Sequence, residues 1–266
     1  MSEHPIAARW RAIREAGGGR RAALIPYLTA GYPDPARSLE ALRLVPKWGA
    51  DFVEVGVPFS DPLADGPTIQ RSTQAALDQG MTVPRVLDQI RRAALEIPVI
   101  VMTYVNPVMA YGLERFVGDA HAAGASGLLL TDFPAGVDPA VERVVQESPL
   151  ALIRLIAPTT TPERLTRAVR GASGFLYLIS RLGVTGARDR VPPDLAEHAA
   201  RVRAASDLPL AVGFGIGTPA QARATAQLAD GVVVGSALVE ALGSGGLVAA
   251  ERLMRDLTAA VREAAA

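Results

Sequence analysis

The first segment with side chains able to do chemistry is Phe52-Val53-Glu54-Val55-Gly56. Alternation with period two puts Glu54 on one face with Phe52 and Gly56 and turns Val53 and Val55 the other way. The valines suit a covering layer of helices, so the carboxylate points into the interior. A carboxylate placed there is costly unless it is protonated, hydrogen-bonded or paired. Arg154, in the apolar run 150–157, is a conceivable ion-pair partner; the competing reading is a functional acid, because perturbed buried carboxylates gather at functional sites. Directly after Gly56 and Val57 comes Pro58-Phe59-Ser60-Asp61-Pro62-Leu63-Ala64-Asp65-Gly66-Pro67, a loop with two more carboxylates. Asp65, before Gly-Pro, lies in a turn free to face a substrate. Asp61, before Pro62, serves equally well as an Asx-turn or a helix cap. A buried and an exposed carboxylate form a natural acid/base pair, since their environments separate their pKa values.

Three glycine turns lie nearer the C-terminus: Arg181-Leu182-Gly183-Val184-Thr185-Gly186, Gly213-Phe214-Gly215 and Gly235-Ser236. The last opens a short helical stretch, Ala237–Leu242, which Gly243-Ser244-Gly245-Gly246 ends before the final helix. Glycine lets backbone N–H groups approach an anion closely, and a helix N-terminus adds a favourable dipole. One such turn is ordinarily structural; three following successive strands point to a phosphate.

The elements that must position these residues are legible as apolar runs at 22–31, 51–57, 98–104, 126–132, 150–157, 174–180, 208–215 and 230–236. They are nearly continuous rather than alternating, as expected of parallel strands covered by helices. Asp34-Pro35, Asp138-Pro139, Thr161-Pro162 and Thr218-Pro219 each pair an N-cap residue with proline at the first helical position. Eight such units give an α/β fold, a (β/α)8 TIM barrel occupying residues 1–266 as a single domain, with a helix over 6–15 closing its bottom. An open doubly wound sheet is the rival, but the first strand-to-helix turn lacks GxGxxG. In a barrel, catalytic groups belong at the C-terminal ends of the strands, and loops after strands seven and eight with a short extra helix are a recurring phosphate site.

Composition removes several classes. Lys+Arg and Asp+Glu are both 27, which gives no reason to expect nucleic acid or an anionic membrane as partner. With no cysteine there is neither disulfide nor thiolate chemistry, and the three histidines form no metal-ligand cluster, so no metal is expected. Lys47 is the one lysine and stands near a helix end, which argues against an imine-forming lysine in the barrel. The N-terminal segment has no continuous apolar core, and no apolar run approaches a membrane span, so a soluble cytoplasmic protein is expected.

The run Glu54 to Pro67 followed by Thr68-Ile69-Gln70, together with Ser180-Arg181-Leu182-Gly183-Val184-Thr185-Gly186 and Met102-Thr103-Tyr104-Val105-Asn106-Pro107, resembles the α-subunit family of tryptophan synthase over essentially the whole chain. The resemblance implies retro-aldol cleavage of indole-3-glycerol phosphate to indole and glyceraldehyde 3-phosphate. It puts the family's acid/base Glu on Glu54, its catalytic Asp on Asp65 and its substrate-side Tyr on Tyr177. Its phosphate-binding backbone falls on Gly186, Gly215, Gly235 and Ser236, and the loop containing Thr185 closes over the site. Tyr27 stands where a Phe often flanks the indole, Phe175 where Tyr is frequent and Leu182 where Ala is common. The family further implies a β-subunit partner that uses pyridoxal phosphate, in an α2β2 assembly, with no cofactor in this chain.

Residue-level chemistry agrees with this implication. Breaking a C–C bond needs an electron sink, and without a lysine or a metal cluster the substrate must supply its own, as a C3-protonated indole does. Ile69, Leu130, Ile156, Phe214 and Tyr177 are candidates to wall an indole-sized pocket. A different phosphosugar barrel enzyme would share the phosphate loops without needing that pocket. A non-catalytic regulatory subunit would not need Glu54 and Asp65, and a stand-alone indole-3-glycerol phosphate lyase would carry the same signature.

Overall fold

The computed structural model describes residues 3–16, 21–180, 192–213 and 215–264. In chain order, α1 (Pro5–Ala16), β1 (Ala23–Thr29), α2 (Pro35–Leu44) and β2 (Val53–Gly56) are followed by α3 (Pro67–Asp78) and α4 (Val83–Ala93). Next come β3 (Val99–Thr103), α5 (Val105–Tyr111), α6 (Leu113–Ala122), β4 (Ala125–Leu130), α7 (Pro139–Glu147) and β5 (Ala151–Ile156). The chain continues with α8 (Pro162–Arg170), β6 (Leu176–Ile179), α9 (Leu195–Ala205), β7 (Leu210–Gly213), α10 (Pro219–Ala226), β8 (Gly231–Val234) and α11 (Ser236–Glu263). The strands pair in sequence order, all parallel, and β1 closes on β8 to complete the (β/α)8 barrel.

Both faces of the strands are buried, which is why their sequences read as continuous apolar runs. Alternate residues then sort into two layers. Val53, Val55, Val99, Val101, Leu128 and Leu152 pack outward against the helices. Ile25, Phe52, Ile100, Leu129, Ile153 and Phe175 fill the interior together with Ile6, Trp10 and Ile13 of α1. Trp10 stacks 4.7 Å from Phe52 and meets Phe175 edge-on at 5.9 Å, so α1 forms an aromatic floor under the barrel. Beside this floor the buried Asp51 carboxylate accepts from Arg9 at 2.7 Å, Arg21 at 2.7 Å and the Leu24 amide at 3.1 Å. That clamp ties α1 to the starts of β1 and β2.

The four expected caps are present. Asp34, Asp138, Thr161 and Thr218 each accept backbone N–H groups of the first turn, and each is followed by proline. The end of the short helix after β8 differs from expectation. Gly243, Ser244 and Gly245 stay helical, and α11 breaks at Gly246 alone, with φ 65° and ψ −158°. Gly243 is instead a close-approach position, because a Cβ there would collide with the Tyr32 hydroxyl.

Arg154 does not pair with Glu54. It lies on the outward face of β5 with Leu152 and Ile156, where it donates to Glu142 at 2.5 Å and to the Phe133 carbonyl at 3.1 Å. Period two settles the matter: Arg154 and Glu54 have opposite facing, and Arg154 instead holds the loop after β4 against α7.

Candidate active site

Glu54 projects inward from β2, one step of two above Phe52, and is 1% exposed. Among the described residues neither of its buried carboxyl oxygens has a hydrogen-bond partner. Burial therefore pushes the carboxyl up to about 8, and it is a neutral acid near pH 7. The expectation of an inward, perturbed carboxylate is met, and the ion-pair alternative is removed.

Asp65 stands opposite, in the loop between β2 and α3, half-buried. Its amide donates to the Pro62 carbonyl at 3.0 Å, closing a turn, and its carbonyl accepts from the Gln70 side chain at 2.8 Å. One carboxylate oxygen accepts from the Tyr104 hydroxyl at 3.0 Å, and that same hydroxyl accepts from the Ala64 amide at 3.0 Å. Tyr104 also packs on Phe59 at 5.2 Å, so one phenol anchors both the loop and its carboxylate. Desolvation raises the Asp65 carboxyl to about 6, against the lowering effect of the Tyr104 hydrogen bond. At pH 7 Asp65 is an anion facing a protonated Glu54, the separated pair that acid chemistry requires. Asp61 does neither of the things its sequence context allowed: it is exposed, and its carboxylate accepts from the neighbouring Ser60 hydroxyl at 2.5 Å.

Two tyrosines flank Glu54. Tyr27 of β1 is register-paired with Glu54, and its hydroxyl lies over Gly56, where a Cβ would collide with it. Tyr177 of β6 lies in the same way over Gly213. The inward glycines of β2 and β7 thus make room for the rings of neighbouring strands. Burial is the chief reason both phenols are held strongly protonated, and the charges of Glu54 and Asp65 add to it.

These groups enclose a cavity of about 230 Å³ at the C-terminal end of the strands. Ile69, Met102 and Val233 supply apolar wall, and Gly215, Gly217, Gly235 and Ser236 line the opposite end. Gly215 has φ +81°, a conformation that glycine adopts without strain. The N-cap of α11 at Gly235 makes no side-chain hydrogen bond, which leaves that helix N-terminus directed at the cavity with its dipole uncompensated by a side chain.

The structure therefore brings Tyr27, Glu54, Asp65, Tyr177, Gly215, Gly235 and Ser236 together around one cavity. Thr185, Gly186 and Phe214 lie outside the described residues, as does the rest of segment 181–191. Leu130 and Ile156 are not pocket walls: they face outward into the helix layer. Leu130 ends the unbroken Leu128-Leu129-Leu130, which marks no face as inside, and Ile156 shares the outward face of Arg154. Phe175 belongs to the aromatic floor and does not reach the cavity. The residues missed include Met102, Val233, Tyr104, Ile216, Gly217 and Ala237; period two counted from Ile100 places Met102 and Tyr104 on the inward face.

A family model described as "Tryptophan synthase alpha chain" matches residues 14–265. The tryptophan synthase alpha chain of Gluconacetobacter diazotrophicus is 47% identical over 240 residues, covering 89% of this chain and 86% of that one. That of Chloroflexus aggregans is 44% identical over 246 residues, covering 91% of each. Among solved structures, a chain of Mycobacterium tuberculosis tryptophan synthase superposes with a TM-score of 0.90 at 42% identity, over 98% of this chain and 99% of that one. Tryptophan synthase subunit alpha from Legionella pneumophila gives 0.89 at 35% identity, over 98% and 100%.

Proposed function

The chain belongs to the tryptophan synthase alpha chain family, and from that premise we propose how its own residues carry the reaction. Alpha subunits of this family are carbon–carbon lyases that cleave indole-3-glycerol phosphate. In our reading Glu54 delivers its proton to C3 of the indole ring, which converts the ring to an indolenine with a C=N acceptor. The bond between C3 and the hydroxyl-bearing carbon then breaks, its electrons return to the ring, and the side-chain hydroxyl loses its proton to the Glu54 carboxylate. One proton enters at C3 and one leaves from oxygen, so indole and glyceraldehyde 3-phosphate balance the substrate. Asp65 accepts from the indole N–H and stabilises the positive charge that develops there.

The observation that carries this reading is the Glu54 carboxyl, buried without a partner among the described residues and raised to about 8, in one cavity with an anionic Asp65. The chain's one lysine supports it from the other side. Lys47 is exposed in the turn before β2, at the opposite end of the barrel, and cannot form an imine with a substrate in the cavity. Ile69, Met102 and Val233 fit the indole, Tyr177 and Tyr27 flank it, and the backbone at Gly215, Gly235 and Ser236 holds the phosphate. Thr185 and Gly186 are assigned to loop closure and phosphate binding on the resemblance alone. The test is Glu54→Gln: single-turnover cleavage should fall by about 10³-fold with binding unchanged, and a loss below tenfold refutes the role.

The family functions with a beta subunit; we read the finer arrangement as α2β2, with pyridoxal phosphate held by the partner. Exposed Leu63, Met109 and Val137 support a docking face, since they sit on the rim segments after β2, β3 and β4. A rise in cleavage rate on adding a β-subunit separates this reading from a stand-alone lyase. We read residues 1–266 as one domain. No helix among the described residues is long and apolar enough to cross a membrane, which agrees with our placement of the protein in the cytoplasm.

A further inference from the structure

Tyr27 and Glu54 are complementary in an unusual way. The Tyr27 hydroxyl accepts from Thr29 Oγ1 at 3.3 Å, and no described residue accepts the proton it carries. Glu54 has two carboxyl oxygens to which no described residue donates. Both side chains are more than nine-tenths buried and both line the same cavity. They are neighbours in register on β1 and β2, and the phenol lies over Gly56, the next inward position above Glu54 on its own strand.

Behind the phenol runs a chain of hydroxyls. Thr29 Oγ1 lies 2.7 Å from Ser72 Oγ of α3, and the Ser72 hydroxyl donates to the Ile69 carbonyl at 2.8 Å. With the Ser72 proton on the Ile69 carbonyl, the one proton of Thr29 serves either Ser72 or Tyr27, and when Thr29 donates to Tyr27 the Tyr27 proton is left for the cavity. A buried donor and a buried acceptor left unmade side by side are each costly, and the cost is relieved when they meet.

We propose that Tyr27 is a positioning residue for Glu54, donating its hydroxyl proton to the Glu54 carboxylate in the ionised state that proton delivery to the substrate leaves behind. The inference rests on Glu54 being the acid. A neutral Glu54 gains little from a donor, and a carboxylate generated at this buried position gains a charge-assisted hydrogen bond. Among the described residues the hydrogen bond is not made while Glu54 is neutral, and it forms once the proton has moved, which is the pattern that accelerates a step rather than merely tightening binding. Asp65 is the other candidate acceptor, but it already receives Tyr104. Where Phe stands in place of Tyr27, this support is lacking.

The titratable groups around Tyr27 are Glu54 from β2, Asp65 from the loop before α3 and Tyr104 at the end of β3; Tyr177 faces both carboxylates from β6. No arginine or lysine lines the cavity among the described residues. The experiment is Tyr27→Phe, which keeps the ring and its packing, assayed for indole formation across the pH range beside wild type and Glu54→Gln. The expected result is an unchanged KM, a fall in kcat of about tenfold, and a basic limb of the kcat profile moved about one pH unit upward, because the Glu54 anion has lost its donor. Unchanged kcat and limbs overturn the proposal and leave Tyr27 a wall. Movement of the acidic limb alone also overturns it, because Tyr27 would then serve Asp65. If Glu54→Gln retains activity, the acid assignment itself fails; if that variant is inactive and Tyr27→Phe is silent, only this inference falls.

Discussion

Exchanging Glu54 for Gln should stabilise the protein while abolishing its reaction, and the gain should grow with pH. Burial lifts the carboxyl from 4.5 to about 8. Between those values the folded chain keeps a proton that the unfolded chain has released. Stability is therefore fully present below 4.5, drains away as pH rises, and levels off above about 8. The lost stability amounts to about 3 kcal/mol at pH 7 and to less than about 1 kcal/mol at pH 5, since each pH unit across the window is worth about 1.4 kcal/mol. Gln has the shape and polarity of the neutral acid and no charge to desolvate, so it escapes the loss. For a chain of this size about 2 °C accompanies each kcal/mol, which gives a rise in thermal midpoint of about 6 °C at pH 7. Thermal or urea midpoints of wild type and variant at pH 5, 7 and 8.5 provide the comparison. A difference that is the same at every pH, or a wild type that is the more stable at pH 8.5, would refute the reasoning and with it the claim that Glu54 is buried without a partner.

The remaining predictions follow from other contacts in the same barrel. The pH profile of kcat/KM should be a bell, with limbs near 6 and 8 set by Asp65 losing its proton and Glu54 keeping its own; rates at pH 5 and pH 9 should be down about tenfold, and a flat profile counts against the assignment. Tyr104→Phe removes the donor that lowers the Asp65 carboxyl, so the acidic limb should move upward while the basic limb stays in place. Gly213→Ala drives a methyl into the Tyr177 hydroxyl, and indole formation should fall at least about tenfold while stability, read from a urea midpoint, drops by about 1–3 kcal/mol. Asp51→Ala leaves Arg21 without its carboxylate beneath the barrel, and the urea midpoint should fall by the equivalent of about 3 kcal/mol with kcat of the folded protein unchanged.

What was legible in the sequence was whatever depends on one segment. The inward turn of Glu54 follows from the valines on either side, and the four proline-marked caps follow from chemistry confined to three or four residues. What escaped depends on two segments meeting. The bond from Tyr104 to Asp65 joins residues 39 apart, and nothing local to either marks it. Tyr27 over Gly56 and Tyr177 over Gly213 likewise exist only because parallel pairing lays β1 beside β2 and β6 beside β7 in register. Leu130 was misplaced for the converse reason, since the unbroken Leu128-Leu129-Leu130 gives no phase, and Ile156 was misplaced although it shares the facing of Arg154 two residues earlier. Arg154 carried a phase through its neighbours on β5, and reading that phase would have turned it away from Glu54.

The two ends of the barrel divide stability and chemistry along the same strands. Going up β2 in steps of two, Phe52 is floor, Glu54 is acid and Gly56 is space. Going up β1, Ile25 is core, Tyr27 is phenol and Thr29 is its donor; going up β6, Phe175 is floor and Tyr177 is phenol. The aromatic layer of Trp10, Phe52 and Phe175 lies one step of two beneath Glu54, so the apolar floor that holds the barrel together also withholds water from the carboxyl. The same packing that contributes stability at the bottom therefore creates the destabilised acid one layer above it. A chain that satisfied Glu54 with an inward arginine would be more stable and would lose the raised pKa that lets a carboxyl act as an acid at neutral pH. That trade is affordable because the Asp51 clamp and the α1 floor are complete without help from the cavity above.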